Sequence, residues 1–156
     1  MTILNIETVK NLMNEALAEA KTAAEAGDVP VGALIVDENG SILSCGHNTR
    51  EALGIVHGHA EINAINSLLK ADKNTDFSSF SLIVTLEPCP MCMTAIADAG
   101  IKTVYYGAPN ETNGACGTVW NIAHKSAVDV FGGFLAPLCG KLVSDFFKSK
   151  RQNPQN

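Results

Sequence analysis

Leu82-Ile83-Val84-Thr85-Leu86-Glu87-Pro88-Cys89-Pro90-Met91-Cys92-Met93-Thr94-Ala95-Ile96-Ala97-Asp98-Ala99 is the stretch around which the chain is organised. The short apolar run Leu82–Leu86 suits a central strand buried on both faces. Pro88 lies near the first turn of a helix over Pro88 to Ala99, where its missing N–H costs nothing. Downstream, Thr103–Gly107 and Val128–Phe134 read as two more strands. A last helix from Ala136 to Arg151 directs Leu138, Leu142, Val143, Phe146 and Phe147 inward. Upstream, His59 to Ala71 reads as a helix with Ile62, Ile65, Leu68 and Leu69 on one stripe. Val31–Asp37 and Ser41–Cys45 flank Glu38-Asn39-Gly40, and an Asn-Gly pair between apolar runs signals a hairpin. A first helix covers residues 6–26, with Gly27 as its stop. Residues 108–127 read mostly as loop with one short helix. The order α-β-β-α-β-α-β-(loop)-β-α predicts an α/β protein with helices on both faces of one sheet.

With 156 residues, 46% of them hydrophobic, the chain fits one domain, 1–156, large enough for a sizeable core. Six Pro and 13 Gly exclude a collagen-like or low-complexity protein. No apolar run approaches the ~18 residues of a membrane span. Met1 to Glu7 lacks the basic and apolar regions of a secretory leader, so a cytoplasmic location without membrane partners is expected. The net charge of −5 divides into −8 over residues 1–140 and +3 over residues 141–156. An acidic body disfavours non-specific nucleic-acid binding, while Lys141, Lys148, Lys150 and Arg151 allow local phosphate contacts. Five cysteines without a leader argue for metal or catalytic thiols rather than a disulfide framework.

Two short segments carry chemistry, His59-Ala60-Glu61 and Pro88-Cys89-Pro90-Met91-Cys92, each at a predicted helix N-terminus. One imidazole and two thiolates are good Zn²⁺ ligands, and three protein ligands leave a fourth position open. The partial positive charge of a helix start favours the thiolate forms of Cys89 and Cys92. Cys89 and Cys92, three apart, lie on one side of a helical turn and can grip one metal. Glu61 would point ~200° away from His59 were both fully helical. His59 must therefore sit at the cap for the two to face one cavity.

Glu61 is then a catalytic proton carrier rather than a ligand. Zinc lowers the pKa of water from 15.7 to about 7. That is roughly 12 kcal/mol at most toward hydroxide, while a positioned acid/base adds about 3–5 kcal/mol. Both point to hydrolysis at an electrophilic carbon. Three plainer readings stand beside this one. A fourth ligand such as Cys116, Cys45 or His57 would close a purely structural metal site. A redox Cys-x-x-Cys leaves His-x-Glu unexplained. Glu61 could simply be an acid favoured at a helix start. Cys45 and Cys139 read as small core residues, Trp120 and Phe134 as packing residues with stacking potential, and one of Phe146 and Phe147 as entering the core.

His-x-Glu followed by Pro-Cys-x-x-Cys resembles the zinc-dependent cytidine-deaminase-like superfamily. Within it the chain is most similar to tRNA adenosine deaminases. The similarity runs through Asp28-Val29-Pro30-Val31-Gly32-Ala33, Thr85 to Cys92, Gly114-Ala115-Cys116-Gly117 and Ser144-Asp145-Phe146-Phe147. This resemblance implies a three-layer α/β/α sandwich around a five-stranded mixed sheet. It also implies hydrolytic removal of an exocyclic amine from a nucleobase, zinc on His59, Cys89 and Cys92, and Glu61 as proton shuttle. Asn48 and the Ala60 N–H would bind the base, and the family's members are homodimers. Departures bear on the substrate. Ile55-Val56-His57-Gly58 replaces the usual Asp-Pro-Thr-Ala, Ala108 to Asn113 lacks the family's basic residues, and an Asn-His-Arg element is missing. Gly46-His47-Asn48 with Arg50 also resembles fungal-type cytosine deaminases. Two substrates therefore stay open, adenosine in a tRNA anticodon loop and a free base or nucleoside. A non-catalytic zinc-stabilised RNA-binding module is the third alternative.

Overall fold

The run at 82–86 lies in the middle of the sheet, and its neighbours fall on both sides of it. The computed structural model describes residues 3–154. Met1 and Thr2, part of the stretch read for a leader, and Gln155 and Asn156, part of the expected 1–156 domain, lie outside the described residues. In chain order the elements are α1 (Ile6–Glu25), β1 (Gly32–Val36), β2 (Ile42–His47), α2 (Arg50–Leu53), α3 (Ala60–Ala71), β3 (Ser81–Leu86), α4 (Pro90–Ala99), β4 (Thr103–Ala108), α5 (Ile122–Lys125), β5 (Asp129–Phe131) and α6 (Ala136–Gln152). They form a five-stranded sheet of order β2-β1-β3-β4-β5. β1 is antiparallel to β2 and β3, whereas β3–β4 and β4–β5 are parallel. The sheet is mixed, as expected.

Alternation along the strands divides the apolar residues between two cores. Ala33, Ile35, Leu82, Val84 and Val104 face Ala64 of α3 and Met93 and Ile96 of α4. Leu34, Val36, Ile83 and Tyr105 face Val9, Met13 and Ala16 of α1 and Cys139 of α6. Helices thus cover both faces, giving the three-layer α/β/α sandwich. All five residues of β1 are buried, as a strand covered on both faces requires.

Four expectations need correction. The strand expected over Val128–Phe134 shortens to Asp129–Phe131, because Gly133, at φ 96, and Leu135, at φ 52, bend the chain into α6. In α6 only Cys139 is buried, and Leu142 packs beside it. Leu138 and Phe147 are exposed, because the sheet side of the helix is the 135/139/142 stripe. Neither Phe146 nor Phe147 enters the core; their rings meet edge to face at 5.5 Å, and Lys150 lies over Phe146. Cys45 is exposed rather than a core residue, since it lies on the edge strand β2, whereas Cys139 is buried. Among the described residues no helix is long and apolar enough to cross a membrane.

Candidate active site

α3 and α4 each begin at a side chain of a group that could hold a metal ion. His59 is the N-cap of α3 in extended conformation, φ −82 and ψ 152, as its shared cavity with Glu61 demands. Cys89 is the N-cap of α4 at φ −78 and ψ 170, followed by Pro90. Neither helix start has a side-chain cap, so both present free N–H groups and positive dipole ends toward the thiols. Gly46 permits this placement, because a Cβ there would lie 2.5 Å from the Ala60 carbonyl oxygen at the start of α3.

Cys89 Sγ lies 3.6 Å and Cys92 Sγ 3.4 Å from His59 Nδ1. Tetrahedral zinc with ordinary Zn–S and Zn–N bonds requires about 3.6 Å between a sulfur and a nitrogen ligand. The donor set therefore fits zinc. Among the described residues this is the one group of three or more His, Cys, Asp or Glu side chains close enough to hold a metal, so no fourth protein ligand closes it. Cys116 turns its thiol toward Met93 Sδ instead, and His57 and Cys45 are exposed. The ligand protons are unequally held. Cys89 is pushed down to about 4, first by its hydrogen bond with Cys92 and then by His59. Cys92 is pushed up by the same hydrogen bond and by burial. Its hydrogen bond to Cys89 also raises His59. One thiolate, on Cys89, is thus stabilised by the protein alone, and zinc deprotonates a coordinating thiol outright.

Glu61 is buried beside these ligands, and burial pushes its carboxyl above the usual range. A cavity of about 780 Å³ is bordered by His59, Ala60, Glu61, Cys89 and Asn48. Ala60 is the first residue of α3, so its N–H is among the unpaired donors of the helix start. Asn48 accepts a hydrogen bond from the Arg50 N–H on Oδ1 and donates from Nδ2 to the Val29 carbonyl, leaving one amide hydrogen. The cavity continues along one face of α6, past Val143, Ser144, Phe147, Lys148 and Arg151. Lys150 turns away over Phe146. His47 pairs with Glu19, Trp120 is exposed with its Nε1 on Asn113, and Phe134 packs against Tyr105.

Two buried acids escaped the sequence reading. Asp28 accepts hydrogen bonds from the Glu51 and Ala52 N–H groups at 2.7 and 2.9 Å, fixing α2, whose Arg50 and Glu51 border the cavity. Glu87 does the same for the wall opposite, residues 109–118. An acid at a strand end just before Pro-Cys is the only signal for Glu87, and nothing in sequence points to its distant partners.

Residues 6–108 match the family described as the cytidine and deoxycytidylate deaminase zinc-binding region. A tRNA-specific adenosine deaminase of Bacillus subtilis (strain 168) is 38% identical over 144 residues, spanning 90% of this chain and 89% of the relative. A structure from work on A-to-I editing by tRNA deaminases at the wobble position superposes with a TM-score of 0.76 at 33% identity, covering 85% of this chain and 98% of that one. A guanine deaminase from Nitrosomonas europaea shares the fold, with a TM-score of 0.78 at 18% identity over 88% of this chain and 83% of that one.

Proposed function

The chain belongs to the cytidine and deoxycytidylate deaminase zinc-binding family, and from that premise we propose that this hydrolytic deaminase converts adenosine to inosine at the wobble position of tRNA. It does so as a homodimer of a single 1–156 domain in the cytoplasm. The observation carrying the RNA reading is the shape of the cavity. Its 780 Å³ runs from the zinc ligands to an aromatic ring and two cations on α6, Phe147, Lys148 and Arg151. A lone base would leave most of that space empty, whereas a nucleotide within a strand brings ribose and flanking phosphates to fill it.

His59, Cys89 and Cys92 would hold zinc, which would supply Lewis acidity able to lower the pKa of water from 15.7 toward about 7. Glu61 accepts the proton of the attacking water and passes it to the ring nitrogen. It then carries the second proton to the amine, so that a C–O bond forms, the C–N bond breaks and ammonia leaves. Its buried position raises its proton affinity, which suits a group that must hold and return protons. The Ala60 N–H and the remaining amide hydrogen of Asn48 orient the base. Leu53, Val56 and Met91 are exposed and lie in segments flanking the ligands, which supports self-association beside the site. Sedimentation equilibrium would return a single monomer mass if that pairing were wrong.

The second reading is a deaminase of free bases or nucleosides, favoured by Glu111 on the cavity wall, which would repel an RNA phosphate. Ammonia release from an adenosine-containing anticodon stem-loop, measured beside a panel of free bases and nucleosides with Glu61→Ala as blank, separates the two. RNA binding should weaken with salt at a log–log slope of about −0.7 per phosphate contacted. Replacing Lys148 and Arg151 with Ala should flatten that slope by about 1.4. Turnover confined to a free base would overturn the RNA reading. A protein that retains zinc and binds RNA without releasing ammonia from any substrate would be the non-catalytic module.

A further inference from the structure

Glu87 has no part in the chemistry described above, although it lies two residues before Cys89 and is 1% exposed. Its Oε1 accepts from the Cys116 N–H at 2.9 Å and the Thr118 N–H at 3.2 Å. Its Oε2 accepts from the Asn110 N–H at 3.0 Å and from the Thr118 hydroxyl. Two donors on each oxygen saturate a carboxylate, which has about four acceptor positions. No capacity remains for substrate. The four bonds span both ends of the segment 109–118, and Pro109, Asn110, Glu111 and Thr112 of that segment border the cavity. Gly114 leaves the space for this, since a Cβ there would lie 2.4 Å from Glu87 Oε2. The Ala115 N–H completes the attachment by donating to the Pro88 carbonyl, next to Cys89.

We propose that Glu87 is a positioning residue: from a buried, saturated seat it holds residues 109–118 as the substrate-facing wall of the cavity, in register with the helix that carries the metal-ligating thiols. Residues 109–112 border the cavity without belonging to the group that could hold the metal, so displacing them weakens binding more than chemistry. This inference rests on the deaminase reading of the cavity and not on RNA being the substrate.

The test uses the zinc-loaded full chain with three variants. Glu87→Gln puts an NH₂ group among donors, Thr118→Val removes one donor, and Gly114→Ala drives a methyl group into an intact carboxylate. Each should speed hydrogen exchange at Asn110, Cys116 and Thr118 while zinc stoichiometry stays at wild type. KM for the substrate the wild type turns over should rise about tenfold, the size of one charge-assisted hydrogen bond lost, with kcat within about twofold. Combining Glu87→Gln with Thr118→Val should cost less than the sum of the two. If Glu87→Gln fails to fold, the other two variants carry the test. Wild-type exchange across 109–118 in all soluble variants, or kcat and zinc content falling while KM stays unchanged, would overturn the proposal. A wild-type protein inert toward every nucleobase would instead overturn the deaminase reading, and the exchange data would still decide the role of Glu87.

Discussion

Glu61 is only 4% exposed, and taking its carboxyl out of water costs stability. That cost fits the proton-carrying role proposed for it. Glu61→Gln preserves shape and removes the proposed proton shuttle. It should retain full zinc, melt no lower than the wild type, and lose about 10²–10⁴-fold in turnover. Zinc analysis and ammonia release on one preparation check this, and wild-type turnover would sink the mechanism. At this scale the sequence was legible where identity alone dictates chemistry. An imidazole, two thiols three apart and a nearby acid name a zinc hydrolase site before any fold is known. Asn48 and Ala60 were singled out only through resemblance, because an amide side chain and a backbone N–H carry no chemical signature of their own, and both border the cavity. Glu87 was illegible, since its partners lie 23 to 31 residues away and are mostly backbone groups. Cys45 was misread for a related reason. Alternation tells which face a strand residue takes but not whether a helix covers that face.

Helices bring the candidate ligands together, because α3 and α4 start at His59 and Cys89 and both starts converge on one cavity. The packing of α3 on β2 therefore controls the distance from His59 to the two thiols. Gly46 is the close-approach point, with the Ala60 carbonyl oxygen and the Ala64 nitrogen 2.5 and 2.6 Å from where a Cβ would sit. Gly46→Ala should push the start of α3 outward, cost about 1–3 kcal/mol of stability, and weaken zinc binding. A chelator competition titration with a thermal melt reads both effects, and unchanged zinc affinity would show that α3 is not positioned through this contact. The long elements were readable because helical and alternating patterns persist over many residues. Short ones were not. α2 has four residues and owes its start to Asp28, 23 and 24 positions away from the two N–H groups it caps. β5 ends at Phe131 because backbone turns, rather than side-chain pattern, stop it.

Each face of the sheet has its own apolar core, and His59, Cys89 and Cys92 belong to neither. Chelating zinc should leave the far-ultraviolet circular dichroism intact while lowering the melting temperature. This differs from small zinc modules, which unfold when stripped. The loss should approach about 4 kcal/mol when free zinc stood at 1,000 times its dissociation constant. A spectrum collapsing to coil would show that the metal is structural. Charge also acts at this scale, since the acidic body leaves Lys148 and Arg151 on α6 as the cations at the far end of the cavity. Reaction class and layer order were readable from residue identity and hydrophobic period, which are local properties that survive without a fold. Tertiary structure alone decided which cations reach the cavity, which phenylalanine borders it and which acids hold its walls. Those outcomes depend on the phase of α6 and on hydrogen bonds between segments far apart in the chain, and both are set only when the layers pack.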